Sequence, residues 1–93
     1  MIKVIARCVV KEESIQTYKE IAAELVRETM KEEGVISYDL YQDINDPQVL
    51  TFIEEWESEE ALELHTKTSH YQKLVPQLDQ FRQEKQLNIY KLA

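Results

Sequence analysis

The sequence predicts an α+β fold of the ferredoxin-like type, a split βαβ arrangement in which a four-stranded antiparallel sheet carries helices on one face. The hydrophobic patterns follow the order strand, helix, strand, strand, helix, strand. The composition, 43% hydrophobic and 31% charged with one glycine and two prolines, is typical of a folded chain built from regular elements. Its 93 residues contain no repeat or linker, so residues 1–93 are expected to form a single domain.

A change of hydrophobic period separates the first two elements. Residues 2–10 alternate and are rich in β-branched side chains, which predicts a strand. From Ser14, the expected N-cap, apolar residues recur at three- and four-residue steps as far as Met30, which predicts an amphipathic helix. Gly34, the only glycine, stands where a left-handed cap must end that helix.

The second half of the chain is predicted to form a hairpin, further helices and a last strand. Strand-like runs at residues 35–43 and 49–57 flank a segment rich in turn-forming Asn, Asp and Pro. Ser58 precedes two glutamates and is expected to cap a short helix, and Ser69 is expected to cap another. Residues 86–92 alternate again and predict the closing strand.

The sheet face opposite the helices is predicted to be apolar. It carries Ile5, Val9 and Ile53, together with Ile36 or Tyr41. Helices in this fold cover only one face of the sheet, so these side chains need another cover. Packing of two sheets face to face in a homodimer is the simplest arrangement that provides it.

Charge and composition limit the partners. Eleven basic against 18 acidic residues give a net charge of −7, which disfavours nucleic acid and anionic membrane surfaces. The longest uncharged run, residues 47–53, is far too short for a signal peptide or a membrane span. A single cysteine fits a reducing compartment, so we expect a cytoplasmic protein that uses neither nucleic acid nor membrane.

Glu54 and His65 are the candidate reactive residues. Glu54 shares a strand face with Phe52 and Trp56, where desolvation would raise the pKa of its carboxyl group. A buried acid needs a partner, and His65, on the inward stripe of the next helix, is the candidate. The alternative is that Glu54 reaches solvent and His65 is a hydrogen-bonded core residue.

Other candidates are weaker, and no cofactor is expected. Tyr71 and Cys8 are included among the pocket residues, although Cys8 on an apolar strand face is more often a small buried side chain than a reactive thiol. His65 and His70 are five positions apart and do not share a helical face, so no metal site is expected. A chain with one glycine contains neither a phosphate loop nor a dinucleotide fingerprint.

Two segments resemble the antibiotic biosynthesis monooxygenase family, including its quinol-monooxygenase-like members. They are KEEGVISY at residues 31–38 and EEWESEEAL at residues 54–62, followed by His65 and His70. The resemblance extends over nearly the whole chain. It implies a dimeric α+β barrel of ferredoxin-like subunits that oxidises a small aromatic or quinol-like molecule with O2, without flavin, haem or metal.

The resemblance also implies roles for the candidate residues. A base removes a phenolic or carbon-bound proton, and the resulting anion passes an electron to O2 in a dry, apolar pocket. Carried over to this chain, His65 handles the proton and Glu54 orients it or stabilises its charged form. Trp56 and Phe52 form the pocket wall.

Two other functions remain open, because one fold supports several chemistries. A related branch isomerises a small phosphorylated, sugar-like signal by proton transfer and consumes no oxygen, and residues 65–71, HTKTSHY, are close to its pattern. A non-catalytic regulatory dimer would keep the same pocket and bind a small ligand without turnover. Oxygen uptake separates the first two functions, and tight binding without turnover identifies the third.

Overall fold

Four antiparallel strands and three α-helices form the domain in this computed structural model, which describes residues 1–93. The strands are β1 (Ile2–Val10), β2 (Val35–Gln42), β3 (Val49–Trp56) and β4 (Arg82–Lys91). The helices are α1 (Ile15–Thr29), α2 (Glu59–Thr66) and α3 (Ser69–Asp79). The strand order is β2-β3-β1-β4, which confirms the predicted α+β ferredoxin-like fold with a four-stranded antiparallel sheet.

The register of the strands decides which side chains lie beneath the helices. In β1 buried and more exposed residues alternate, so Val4, Ala6 and Cys8 share the helix-covered face. Glu54 of β3 lies opposite Val4 of β1 on one side and opposite Tyr38 of β2 on the other. A carboxyl group therefore lies in the central part of the covered face.

The core fills the space between this face and the helices. Each helix contributes buried residues at three- and four-residue spacing, as an amphipathic helix requires. The largest fully buried side chains include Tyr18, Leu25, Leu50, Trp56 and Leu78. Burial of each leucine stabilises the fold by about 1.5–3 kcal/mol.

Hydroxyl side chains cap α2 and α3. Ser58 accepts a hydrogen bond from the Ala61 amide at 3.1 Å, which confirms it as the N-cap of α2. The N-cap of α3 is Thr68, whose hydroxyl accepts from the Tyr71 amide at 3.3 Å. Ser69, the expected cap, is instead the first helical residue, because the preceding threonine adopts the extended backbone conformation that capping needs.

Two boundaries differ from the sequence prediction. Ser14 precedes α1 but makes no capping hydrogen bond, because a 3-10 turn at Glu12–Ser14 already leads into the helix. β4 begins at Arg82 and not near residue 86. It is an edge strand that pairs along its length with β1. Backbone hydrogen bonds to β1 therefore keep its first residues in the strand, although these residues are polar and do not alternate.

Gly34 is required for two separate reasons. Its φ of +85° lies in the left-handed region, as predicted. It does not cap α1, however, because that helix already ends at Thr29 with Met30 as a right-handed C-cap, and Gly34 instead ends the turn that leads into β2. A Cβ atom built on Gly34 would lie 2.5 Å from Cβ of Ala61. The Gly34 carbonyl also accepts a 2.8 Å hydrogen bond from the Glu57 amide, which joins this turn to the end of β3.

The face of the sheet away from the helices is partly apolar, as predicted. Ile5 and Ile53 lie directly opposite each other there and are half-buried, as is Val9. Tyr41 is 52% exposed, and Ile36, at a register shift in β2, is 44% exposed. Separately, no helix in the chain has both the length and the apolar character needed to cross a membrane.

Candidate active site

A cavity of about 260 Å³ lies between the sheet and the helices. Its wall is mainly apolar and includes Val4, Ala6, Leu25, Phe52, Leu62 and Val75. Its polar side chains are Tyr38, Glu54, His65, Thr66, Tyr71, Arg82 and Lys85. A small number of polar groups on an apolar wall is the usual composition of a small-molecule site.

His65 is held in this wall by aromatic rings and one hydrogen bond. The side chain is 2% exposed, and its ring centroid lies 4.7 Å from Trp56, 5.0 Å from Tyr71 and 5.3 Å from Tyr38. Nδ1 lies 2.7 Å from Oε2 of Glu32. Nε2 has no protein partner and retains accessible surface, so it is the nitrogen available to a molecule in the cavity.

Glu32 accepts hydrogen bonds from both histidines. It lies in the turn between α1 and β2, and its Oε2 is 2.6 Å from Nε2 of His70 as well as 2.7 Å from His65. A carboxylate has no proton to donate, so each ring donates an N–H to the same oxygen. This arrangement fixes the His65 tautomer and the orientation of its ring, in the way that a triad carboxylate orients its histidine.

Sequence patterns assign no role to Glu32 or His70. The turn after α1 and the junction between α2 and α3 are distant in the chain and meet only in the folded structure. The expected helix start at Ser69 correctly separates the two histidines, with His65 on α2 and His70 on α3. It does not reveal that the break between those helices directs both rings to one carboxylate.

Glu54 is buried but is not the partner of His65. It is 6% exposed, and its Oε1 accepts a 2.9 Å hydrogen bond from Nε1 of Trp56. The expected Glu54–His65 hydrogen bond is absent, because Glu54 pairs with its neighbour on the same strand face while His65 pairs with Glu32. Glu54 and His65 nevertheless line the same cavity.

The environment shifts the pKa values of these two groups in opposite directions. Burial raises the pKa of Glu54 to about 7, with a partial opposing effect from the Trp56 hydrogen bond. Burial lowers the pKa of His65 below its usual 6.5, and the Glu32 hydrogen bond opposes this in part. The cavity therefore holds a neutral imidazole and a carboxyl group that is partly protonated near pH 7, which suits a base and an acid respectively.

The other predicted pocket residues divide into two groups. Phe52 and Tyr71 line the cavity as expected. Cys8 is fully buried beneath the helices and does not line it. Trp56 is also fully buried behind the wall, where it supports His65 and Glu54, so the placement of Cys8 and Trp56 in the wall itself is corrected.

Positive charge from β4 lies at one side of the cavity. Arg82 and Lys85 both line it, and Nε of Arg82 donates a 3.1 Å hydrogen bond to the Tyr18 hydroxyl. Asp79 pairs with the Arg82 guanidinium group and lies 3.9 Å from Nζ of Lys85. These contacts hold two cations beside an otherwise apolar wall.

Glu32, His65 and His70 are also the residues best placed to bind a metal ion. Their candidate ligand atoms all lie within 4.8 Å of one another. The N–O distances of 2.6 and 2.7 Å are hydrogen-bond distances. Ligands that share one zinc ion at about 2.0–2.1 Å are spaced by roughly 3.0–3.4 Å, so the present arrangement is that of a hydrogen-bonded cluster.

Comparison with known proteins gives consistent matches. The family model described as "Antibiotic biosynthesis monooxygenase" matches residues 1–77. A Bacillus subtilis (strain 168) protein named "Putative monooxygenase YcnE" is 32% identical over 66 residues, which cover 71% of this chain and 70% of that protein.

Solved structures extend the similarity to the whole fold. A conserved protein from Methanosarcina mazei Go1 superposes with a TM-score of 0.96 at 36% identity, covering 99% of this chain and 92% of the other. A structure described as an antibiotic biosynthesis monooxygenase superposes with a TM-score of 0.94 at 35% identity, covering 100% of this chain and 99% of the other.

Proposed function

Because the chain belongs to the antibiotic biosynthesis monooxygenase family, we propose that it oxidises a small aromatic or quinol-like molecule with O2 and without a cofactor. The observation that carries this proposal is the geometry of His65. Its Nδ1 is held by Glu32, and its Nε2 is left for the cavity. A neutral, oriented imidazole on an apolar wall is suited to remove a phenolic or carbon-bound proton from a bound molecule.

The residues of the cavity support each step after proton transfer. The Glu32 carboxylate stabilises the imidazolium form of His65, and Arg82 and Lys85 favour the substrate anion. The anion transfers one electron to O2, giving a substrate radical and superoxide, and their combination forms a carbon–oxygen bond and a peroxide. The carbon that carries the peroxide then loses its remaining proton, and the electron pair of that C–H bond forms a carbonyl group and breaks the O–O bond. Protonated Glu54 supplies a proton to the departing oxygen, so one oxygen atom stays on the carbon and the other leaves as water.

The size of the cavity restricts the substrate. Its volume of about 260 Å³ is slightly below the usual range for small-molecule sites, which is about 300–1,000 Å³. Aromatic and branched aliphatic side chains provide most of its wall, so the bound molecule would lie mainly against apolar groups. A substrate with one or two rings fits this space and this polarity.

We propose further that the protein acts as a homodimer in the cytoplasm. The open sheet face presents Ile5, Val9 and Ile53, and a second copy of the same face would cover them. A small domain gains stability from burial of such a surface. The free, buried thiol of Cys8 agrees with a reducing compartment.

Proton-transfer isomerisation of a small phosphorylated, sugar-like molecule is the second candidate. The specific observation in its favour is that an acid and a base, Glu54 and His65, line one cavity with pKa values shifted in opposite directions. Such a pair moves protons without any oxidant. Arg82 and Lys85 would bind a phosphate group.

Oxygen uptake tests the proposal directly. The purified protein is incubated with 1,4-hydroquinone or 1,4-naphthohydroquinone in an oxygen electrode, and the rate without protein is subtracted. His65→Gln should lower uptake about 100-fold or more, because it removes the base. Lys67→Gln, an exposed change just after α2, is the matched control and should retain the wild-type rate.

Three other outcomes of these assays would change the assignment. Uptake no faster than autoxidation with every compound, or an equal rate in His65→Gln, would refute the monooxygenase assignment. Isomerisation of a phosphorylated ketose under nitrogen that depends on both Glu54 and His65 would support the second candidate. Tight binding of a test compound with no chemical change would identify a ligand-binding dimer.

A further inference from the structure

The hydrogen bonds around Glu32 form a series that leads from the cavity toward the protein surface. Oε2 of Glu32 joins Nδ1 of His65 at 2.7 Å to Nε2 of His70 at 2.6 Å. Side-chain exposure rises along this series, from 2% for His65 through 11% for Glu32 to 17% for His70. One end is therefore enclosed in the cavity wall and the other is accessible to water.

The ring nitrogens are arranged so that the series of hydrogen bonds is continuous from the cavity to solvent. His65 uses Nδ1 for Glu32 and keeps Nε2 for the cavity, whereas His70 uses Nε2 and keeps Nδ1 without a protein partner. An imidazole can bind a proton at one nitrogen and release another from the opposite nitrogen. Two such rings bridged by one carboxylate oxygen satisfy the geometric requirement for proton transfer along hydrogen bonds.

We propose that His65, Glu32 and His70 form a proton path between the cavity and solvent, in which Glu32 and His70 act through His65 and do not touch the substrate. The catalytic use of this path rests on the proposed function. The path itself is a property of the three side chains and is testable without any substrate.

The proton steps balance over one turnover. His65 takes the substrate proton on Nε2 and passes its Nδ1 proton to Oε2 of Glu32. His70, which at rest donates Nε2–H to Glu32, first moves its proton to Nδ1 by exchange with water. Its Nε2 then accepts the proton from Glu32, and water removes the Nδ1 proton. When His65 later donates its Nε2 proton to the reduced oxygen, one proton returns from water through His70 and Glu32 to Nδ1 of His65, and a second exchange with water restores the Nε2–H tautomer of His70.

Burial explains why such a path is useful. The charged form of His65 is disfavoured because the ring is almost completely removed from water. Transfer of the positive charge to His70, which is more exposed, relieves this cost between the two proton-transfer steps. Glu32 returns to its carboxylate form after each transfer.

A structural role is the main rival. The same hydrogen bonds pin the turn after α1 to the α2–α3 junction, so loss of either could simply destabilise the fold. His70→Gln separates the two roles. A glutamine amide can still donate a hydrogen bond to Glu32, but it cannot bind a proton at one end and release it at the other.

The first measurement uses the free protein. Exchange of the His65 Nδ1 proton with water is followed by ¹⁵N-edited NMR in wild type, in His70→Gln and in Lys73→Gln, an exposed change on α3. We expect exchange at least tenfold slower in His70→Gln and unchanged in Lys73→Gln, with similar melting temperatures. Exchange in His70→Gln at the wild-type rate would overturn the proton path.

The second measurement uses turnover of 1,4-naphthohydroquinone. His70→Gln should lower kcat about tenfold with little change in KM. In His70→Ala, which leaves room for a small base, added imidazole should restore kcat, whereas it should not do so in His65→Gln. Failure of imidazole to restore any activity would count against the path. If wild type oxidises no quinol but the exchange result holds, the proposed function fails and the proton path stands.

Metal binding is tested in the same preparation. Titration with zinc chloride, followed by the His65 and His70 ring signals, should show no stoichiometric binding. Tight binding of one zinc ion that is lost in Glu32→Gln would overturn the proton path in favour of a metal site.

Discussion

The indole Nε1 of Trp56 donates a 2.9 Å hydrogen bond to Oε1 of Glu54, two residues earlier on the same face of β3. Both side chains are buried, Trp56 at 0% exposure and Glu54 at 6%. One oxygen of the carboxyl group is thus fixed by a neighbour that carries no charge. The cost of burying the charged form is only partly offset, and the pKa of Glu54 rises to about 7.

A plot of activity against pH should be bell-shaped, with an acidic and an alkaline limb. Activity should rise as His65 loses its proton, at a pKa below 6.5, and fall as Glu54 loses its proton near pH 7. Glu54→Gln should lower kcat/KM about 10- to 100-fold and remove the alkaline limb, because Gln cannot ionise. Oxygen uptake between pH 5 and 9 measures both limbs, and an alkaline limb that persists in Glu54→Gln would exclude Glu54 as the acid.

The same substitution should change the pH dependence of stability. Between about pH 4.5 and 7 the folded state holds a proton on Glu54 that the unfolded state has lost, so stability decreases as pH rises through this range. At about 1.4 kcal/mol per pKa unit, the loss above pH 7 is at most about 3–4 kcal/mol. Urea unfolding at pH 4.5 and pH 8 gives the free energy of unfolding of Glu54→Gln and of wild type. The difference between them should favour the variant more at pH 8 than at pH 4.5. A constant difference between the two proteins would contradict the raised pKa.

Gly34→Ala should destabilise the protein by about 2–4 kcal/mol. A left-handed backbone costs alanine about 1–2 kcal/mol, and the new methyl group would overlap Cβ of Ala61. Ala61→Gly removes the overlapping atom. Urea unfolding of both single variants and the double variant should give a favourable coupling energy of about 1–3 kcal/mol. Strict additivity would show that only backbone strain matters at Gly34.

Ile53→Glu should dissociate the proposed dimer. The substitution places a charge opposite Ile5 in the centre of the open sheet face. Light scattering should give twice the chain mass of 11.0 kDa for wild type and the single-chain mass for the variant. Ile44→Glu, at a loop position that is 97% exposed, is the control and should remain dimeric. A monomeric wild type would disprove the dimer.

Local patterns were sufficient to predict much of the fold and part of the site. Alternation in β1 and β3 identified the apolar face and placed Phe52 and Glu54 on it, because successive strand side chains point to opposite sides. Whether Glu54 reaches solvent remained open in the sequence, and the structure shows it buried. Helical spacing placed His65 on the inward side of α2. Each of these results depends on residues within one element.

The partners of the reactive groups depended on packing between elements. His65 pairs with Glu32, 33 positions away, and not with Glu54, because the turn after α1 folds over the end of α2. His70 reaches the same carboxylate across 38 positions. The sequence by itself determined the main elements, their buried faces and the inward placement of the His65 imidazole, the proposed base. Only the tertiary structure decided which carboxylate orients that base, because the approach of separate segments depends on how the whole core packs.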